Sequence, residues 1–360
     1  MAQLLNEIVW GESILPVVSD PAWEAEVKRR AGQVSEMDRR AAPCPWLREL
    51  CVAEVTYRPV AMPQQLYSIG ALVTAQENAC RYCYGANRAL MRIFGYSESF
   101  IGRLERQATL AELDDKGRAF IAFCRSLARS RPRPMKAECD ALLALGFTRE
   151  AVNEIALLIA LCCNHNRLGV LSACPPERML EGLAGGVFAF VTRPLLRRVM
   201  ALQRPPQPPL LDEAALAAGP FGTVVAAAAG VPAAAIFRRA LDGAFASTTL
   251  PAATKALMFA VVARTLGCRT SEGEARRIAL AEGFSEAEVD AALATLRSAR
   301  LPAREQGLLS WARDTVYYQV APIQQNTAAL AAQLGHPAIV EAIGVAALAN
   351  AVVRLAMLRE

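Results

Sequence analysis

The chain has 360 residues, 54% apolar and 20% charged, with a net charge of +5, ten cysteines and two histidines. So many apolar side chains exclude a disordered protein, and the length is generous for one core, so two domains are expected. Arginines spread thinly along a chain of such modest charge exclude the dense basic footprint of a dedicated nucleic-acid binder.

The opening "MAQLLNEIVWGESILP" has no basic n-region and is not a signal peptide, and residues 1–40 read as an N-terminal helical arm. Beyond it, Ala-rich runs alternate with Arg and Glu at helical spacing, and segments rich in Val, Ile, Thr and aromatics are scarce, which points to an all-α fold. "MPQQLYSIGALVTAQENA" is an apolar helix starting near Pro63. Cys80 and Cys83, in "ENACRYCYGANRALMRIFGYSE", open the next helix, and another restarts after Gly95 with Ser97 as N-cap. "RPRPMKAECDALLALGF" turns into a helix that stops at Gly146, and "REAVNEIALLIALCCNHNRLGVL" is a long buried helix.

"RPLLRRVMALQRP", the densest basic stretch, reads as a solvated helix face leading into a Pro-rich connector at 204–211. "FGTVVAAAAGVPAAAIF" is mostly alanine and is broken by Gly230 and Pro232, so it falls short of a membrane span. No membrane or nucleic-acid partner is expected. Ten cysteines without a secretion signal suit reduced thiols in a cytoplasm. Cys124, Cys162, Cys163 and Cys174 sit in apolar text, where a thiol behaves as a small hydrophobe.

The two sides of the connector resemble each other. "CRYCYGANRALMRIFGYSES" aligns with "CRTSEGEARRIALAEGFSEA" at an offset of 188, which places Cys80 on Cys268, Gly95 on Gly283 and Ser97 on Ser285. The long buried helix aligns with "PAIVEAIGVAALANAVVRLAML" at 187, Arg167 falling on Arg354. Ordered matches of this length imply a tandem duplication: a unit at 41–203 carrying the dithiol, the linker at 204–211, and a degenerate unit at 212–360. In the second unit Ser271 stands where Cys83 stands, so thiol redox chemistry belongs to the first half.

On a helix, Cys80 and Cys83 share a face and can reach each other. A free thiol near pKa ~8.5 needs about 2.7 kcal/mol to be lowered by two units, and a helix N-terminus supplies only ~0.3–1 kcal/mol. Arg81 could add charge, and a general base would add more. A zinc site would want a second Cys/His pair of similar spacing, and Cys162–Cys163 are adjacent, so no metal is expected.

"ENACRYCYGANRAL" between two apolar helices resembles the alkylhydroperoxidase D-like (AhpD-like) / carboxymuconolactone decarboxylase superfamily, closest to its peroxidase-related branch. The later "GFTREAVNEIALLIALCCNHNRLGVL" reads like that branch's final helix, with its Asn166-Arg167 pair. The resemblance covers most of the first half, and the second half through the internal repeat. It implies an all-α fold of two tandem AhpD-like units, homo-oligomerisation, and Cys83 as the attacking thiol with Cys80 resolving. The substrate would be a hydroperoxide or disulfide, and electrons would come from a lipoyl or thioredoxin-like dithiol, with no cofactor. Two positions depart from the family pattern: Ser68 stands where a Glu is expected and Asn87 where a His is expected, and asparagine cannot accept a proton.

Glu77 is close enough along the chain to stand in as a base, or else finishes its helix in solvent. His165 is a replacement base or a satisfied core histidine. Tyr82 could donate to a bound oxyanion or simply pack, and His336 reads as structural. The expectation is a thiol-dependent oxidoreductase. The alternatives are a non-catalytic scaffold that keeps the dithiol for packing and a carboxymuconolactone decarboxylase-like lyase.

Overall fold

The computed structural model describes residues 3–106, 113–203 and 205–360, and all regular secondary structure within them is helical. Two short helices, α1 (Pro21–Ala31) and α2 (Glu36–Ala41), come first. Then follow α3 (Pro45–Thr56), α4 (Gln64–Glu77), α5 (Arg81–Ile93), α6 (Glu98–Arg106), α7 (Asp115–Arg129), α8 (Lys136–Ala144) and α9 (Arg149–Leu171). A hairpin of α10 (Arg178–Gly185) and α11 (Ala189–Leu202) leads through the connector to the short α12 (Glu213–Ala217) and α13 (Gly222–Ala226). The chain ends with α14 (Ala233–Ala246), α15 (Ala252–Leu266), α16 (Arg269–Ala281), α17 (Glu286–Thr295), α18 (Leu308–Asp314), α19 (Val320–Leu334) and α20 (His336–Met357). Arg204, the first residue of the expected linker, lies outside the described residues.

Local chemistry sets the helix boundaries. The Ser97 hydroxyl accepts from the Phe100 amide at 3.1 Å to start α6, and the Thr148 hydroxyl accepts from Ala151 at 3.1 Å to start α9. Gly95 and Gly146, at φ 95° and 82°, close α5 and α8 in the left-handed region that glycine enters at little cost.

The element order recurs. α16 begins and ends 188 residues after α5, while α14, α15 and α17 begin 188 residues after α3, α4 and α6. α20 begins 187 residues after α9. A buried carboxylate recurs with the helices. Glu154 on α9 accepts from the amides of Val60, Ala61 and Met62 at 2.7–2.8 Å, and Glu341 on α20 accepts from the Leu250 amide at 2.8 Å. Each pins the loop that enters the second helix of its set.

The two sets do not form separate cores. α9 and α20 pack against each other at the centre, with α4 and α5 on α9 and α15 and α16 on α20, and one continuous apolar core runs through both. Both central helices are long and apolar enough to cross a membrane, yet 89% and 100% of their apolar windows are buried inside the fold. Arg167 and Arg354, matched in the sequence, are both fully buried and donate to the carbonyl of Val316, at 3.3 and 3.5 Å.

The N-terminal arm is helical only over α1 and α2. Before α1 it is an extended strap whose polar groups are satisfied by both halves. Trp10 Nε1 donates to the Cys174 carbonyl, Ile14 N to the Ser172 carbonyl, and Gly11 N to Gln324 Oε1. With its hydrogen bonds made across the surface, this segment has no need of an internal helix.

Candidate redox site

The chain leaves α4 at Glu77 and turns through Asn78 and Ala79, the latter at φ 47°, to place Cys80 at the N-cap of α5. The Cys80 sulfur accepts from the Cys83 amide at 3.4 Å. Asn78 fixes the turn, its side-chain amide donating to Asn166 Oδ1 at 3.0 Å while its carbonyl accepts from the Tyr318 hydroxyl at 2.7 Å. α5 lies unusually close to α9. A Cβ on Gly169 would stand 2.8 Å from Cys80 Sγ and 3.3 Å from Tyr82 Cδ1, so only glycine lets the dithiol helix sit there.

Both thiols are free, with Cys80 0% and Cys83 4% exposed. The Cys83 thiol donates to the His165 carbonyl at 3.7 Å. The Tyr82 ring stacks on the His165 ring, with centroids 6.0 Å apart. His165 is in turn held by a residue the sequence reading passed over. Glu54, on α3, lies 2.7 Å from His165 Nδ1 through Oε2, and its Oε1 accepts from Asn164 Nδ2 at 2.7 Å. Glu54 on α3 thus holds the imidazole of His165 on α9, whose backbone carbonyl accepts from the Cys83 thiol of α5.

The remaining candidates are committed elsewhere. Glu77 neither acts beside the sulfurs nor ends in solvent: its carboxylate is nearly buried and bridges Arg125 at 3.0 Å and Arg129 at 2.8 Å on α7. Asn87 donates to the Ala71 carbonyl at 3.4 Å and Ser68 to the Gln64 carbonyl at 3.1 Å, so both serve the packing of α4 and α5. The Tyr82 hydroxyl donates to Glu177 at 3.0 Å, away from the thiols. His336 begins α20.

The electrostatics follow from burial. Desolvation pushes the Cys83 thiol well above its ordinary range, and the Cys80 sulfur adds to the rise, while the His165 charge and the Asn166 amide pull the other way. Burial alone would depress His165. The hydrogen bond that the ring donates to Glu54, the charge on an ionised Cys83 sulfur and the Glu54 charge outweigh it and raise the imidazole to about 9. Burial also raises Glu54, against the hydrogen bond from His165. Burial thus favours the neutral Cys83 thiol, while Glu54 favours the charged form of the imidazole.

The second half shows the same helices without the site. Ser271 occupies the Cys83 position with its hydroxyl buried and unpartnered. Val352 stands at the position of His165, and Asp242, at that of Glu54, is half-exposed and paired with Arg238 at 2.7 Å. Cys268 instead donates to the Glu360 carboxylate at 3.4 Å.

α10 packs against α5, the helix that carries the dithiol. Arg81 makes a two-pronged ion pair with Glu181, at 2.9 and 3.0 Å, and Tyr82 bonds Glu177 just ahead of that helix. Two surface cavities, of about 930 and about 640 Å³, lie between α3 and α14 and between α5 and α11, and neither is lined by Cys80 or Cys83. Among the described residues no three His, Cys, Asp or Glu side chains converge to hold a metal.

No family model matches the chain, and no curated protein matches it. Among solved structures it is similar to the crystal structure of an alkylhydroperoxidase AhpD core, an uncharacterized peroxidase-related protein from Ralstonia eutropha JMP134. The likeness spans 49% of this chain and 98% of that one, at 20% identity and a TM-score of 0.40. At that level, function has to be argued from the site itself.

Proposed function

We propose that the chain is a thiol-dependent oxidoreductase that reduces hydroperoxides, with Cys83 attacking and Cys80 resolving. The observation that carries this reading is the Glu54–His165 pair on the residue whose backbone carbonyl accepts from Cys83: a carboxylate and an imidazole, from helices outside the dithiol motif, would take the proton-transfer role that Ser68 and Asn87 cannot. The resemblance to the AhpD-like superfamily supports the same assignment of roles.

The chemistry balances with the groups present. The Cys83 sulfur attacks the distal peroxide oxygen and the O–O bond breaks. The His165 imidazolium gives its proton to the leaving alkoxide and takes the thiol proton, so that Cys83 becomes a sulfenic acid and an alcohol departs. The Cys80 thiol then attacks the Cys83 sulfur, the S–O bond breaks, and water leaves with formation of the disulfide. A dithiol of the lipoyl or thioredoxin-like class reduces that disulfide and is itself oxidised. Glu54 holds the imidazole in place and compensates its charge.

The experiment is peroxide consumption with a dithiol reductant, together with intact-mass analysis after a single exposure to peroxide. Wild type should lose two hydrogens to a Cys80–Cys83 disulfide, Cys80→Ser should stall with a dimedone-reactive Cys83, and Cys83→Ser should be inert. A second reading is favoured by the complete burial of both sulfurs: a scaffold in which the dithiol only packs. It predicts that peroxide leaves the mass unchanged and that Cys83→Ser behaves as wild type.

A further inference from the structure

The α10–α11 hairpin is the most apolar exposed feature of the molecule. Its inner side is spent on the small cluster that Ala184, Leu196 and Met200 form with Ala89 and Ile93 of α5. On the outside, Phe188, Val191, Leu195, Val199 and Leu202 recur at intervals of three and four residues, and every one is exposed, from 45% at Val199 to 75% at Leu202. This is a continuous helical stripe that nothing in the fold covers. The tip adds Val187, 89% exposed, and Phe190, 75% exposed. Taken together, the two helices are apolar enough for a membrane span but are bent by 118° at the tip, so they cannot cross as one rod.

The stripe-bearing segment carries charges of one sign, and the acid that faces its cleft is Glu98, shared by Arg92 and Arg193. From Gly182 to Gln203 the charged residues are Arg193, Arg197 and Arg198, without an acid. Arg197 and Arg198 make no ion pair among the described residues, whereas Arg92 and Arg193 face Glu98. Arg92, Arg193, Arg197 and Arg198 line the cavity of about 640 Å³ between α11 and the end of α5, with Tyr96 and Phe190 beside them. A second copy meeting the stripe about a twofold axis would bring these arginines against their own equivalents, which is unfavourable. An anionic lipid surface meets both demands at once: acyl chains for the stripe and tip, and phosphate headgroups for the arginines and their cleft.

We propose that the α10–α11 hairpin is an interfacial docking element for anionic bilayers, seated with Phe188 and Phe190 in the headgroup boundary and α11 lying in the surface plane. This departs from the expectation, drawn from sequence, of a merely solvated basic face. It stands independently of the redox reading. Where both hold, the element that touches lipid is also tied to the dithiol helix, through Arg81–Glu181 and Tyr82–Glu177.

The test is co-sedimentation of the full chain with sucrose-loaded vesicles, of phosphatidylcholine alone or with about one third phosphatidylserine. Wild type should bind the anionic vesicles and leave the neutral ones, and binding should weaken as salt is raised. Phe188→Ser/Phe190→Ser should abolish sedimentation. Arg197→Glu/Arg198→Glu should weaken it by at least ~25-fold, since each arginine at such a surface is worth about fivefold in partitioning. All four side chains are exposed, and circular dichroism checks that the variants stay folded. Wild type that ignores anionic vesicles, or variants that sediment like wild type, overturn the proposal. So does a wild-type oligomer in sedimentation velocity that Phe188→Ser/Phe190→Ser converts to monomer without any vesicle binding, which would assign the stripe to a second copy. Peroxide reactivity is not part of the readout, so a failed redox reading leaves this result intact.

Discussion

Replacing Glu54 by Gln tests the electrostatic heart of the site. The side chain keeps its shape, and its amide can still meet His165 and Asn164, but the charge that offsets imidazole burial is gone. In the wild type that charge and its hydrogen bond help hold His165 at about 9 against an ordinary 6.5. The gap is worth roughly 3 kcal/mol of preference for the imidazolium. Without it desolvation is opposed only by the Cys83 sulfur and Asp38, and His165 in Glu54→Gln should titrate clearly below its wild-type value. At pH 7 the imidazolium fraction should therefore fall from the near-complete wild-type level. The chain has only two histidines, so a long-range ¹H–¹⁵N spectrum resolves both rings, and a His336→Asn background assigns them. The sign for stability follows. A folded-state value above the unfolded one contributes stability that is whole below about pH 6.5 and is lost as pH rises through about 9, and Glu54→Gln should flatten that decline. Titration of wild-type His165 near 6.5, or a value unmoved by Glu54→Gln, would refute the coupling.

Three further outcomes follow from the geometry. All ten cysteines are free and buried, so a disulfide reagent should find almost no fast thiols in the native chain and ten in guanidinium, and alkylation of Cys83 in a Cys80→Ser background should titrate above pH 9; a midpoint near 6 would contradict the burial argument. Gly169→Ala drives a methyl against Cys80 and should cost about 1–3 kcal/mol in urea unfolding while changing Cys83 reactivity; Gly344→Ala, whose methyl would stand 2.8 Å from Trp46, should cost a similar amount and leave Cys83 reactivity unchanged. Glu154→Gln takes the charge from a buried carboxylate that accepts from three backbone amides and the Tyr57 hydroxyl, and should destabilise by ~3 kcal/mol; a loss under ~1 kcal/mol would show that the charge matters little.

Much of the architecture was legible because it is written locally. The Ser97 cap, the stop at Gly146 and the long apolar run of α9 each announce themselves within a few residues, and the recurrence at 188 needed only the sequence compared with itself. The Glu54–His165 pair was not legible. Its members lie 111 residues apart, and Glu54 sits in "CVAEVTYRP" with no mark except being an acid among apolar neighbours. Glu77 drew attention through its closeness to Cys80 along the chain, yet α4 turns it toward the arginines of α7. Ser68 and Asn87 suggested a disarmed dithiol because a proton-transfer group was looked for at fixed offsets. The fold brings carboxylate and imidazole to Cys83 from α3 and α9 instead.

The hydroxyl of Tyr318 rests on the carbonyl of Asn78, so the half of the chain without a dithiol acts as a wall for the half that has one. The gene is consequently hard to divide. A stop codon after α11 would strip α20 from α9, leave Arg167 without the Thr315 and Val316 carbonyls, and remove the prop from the turn that presents Cys80. The half without a dithiol is thus indispensable as masonry, and mutations in it should disturb the turn that presents Cys80 in the other.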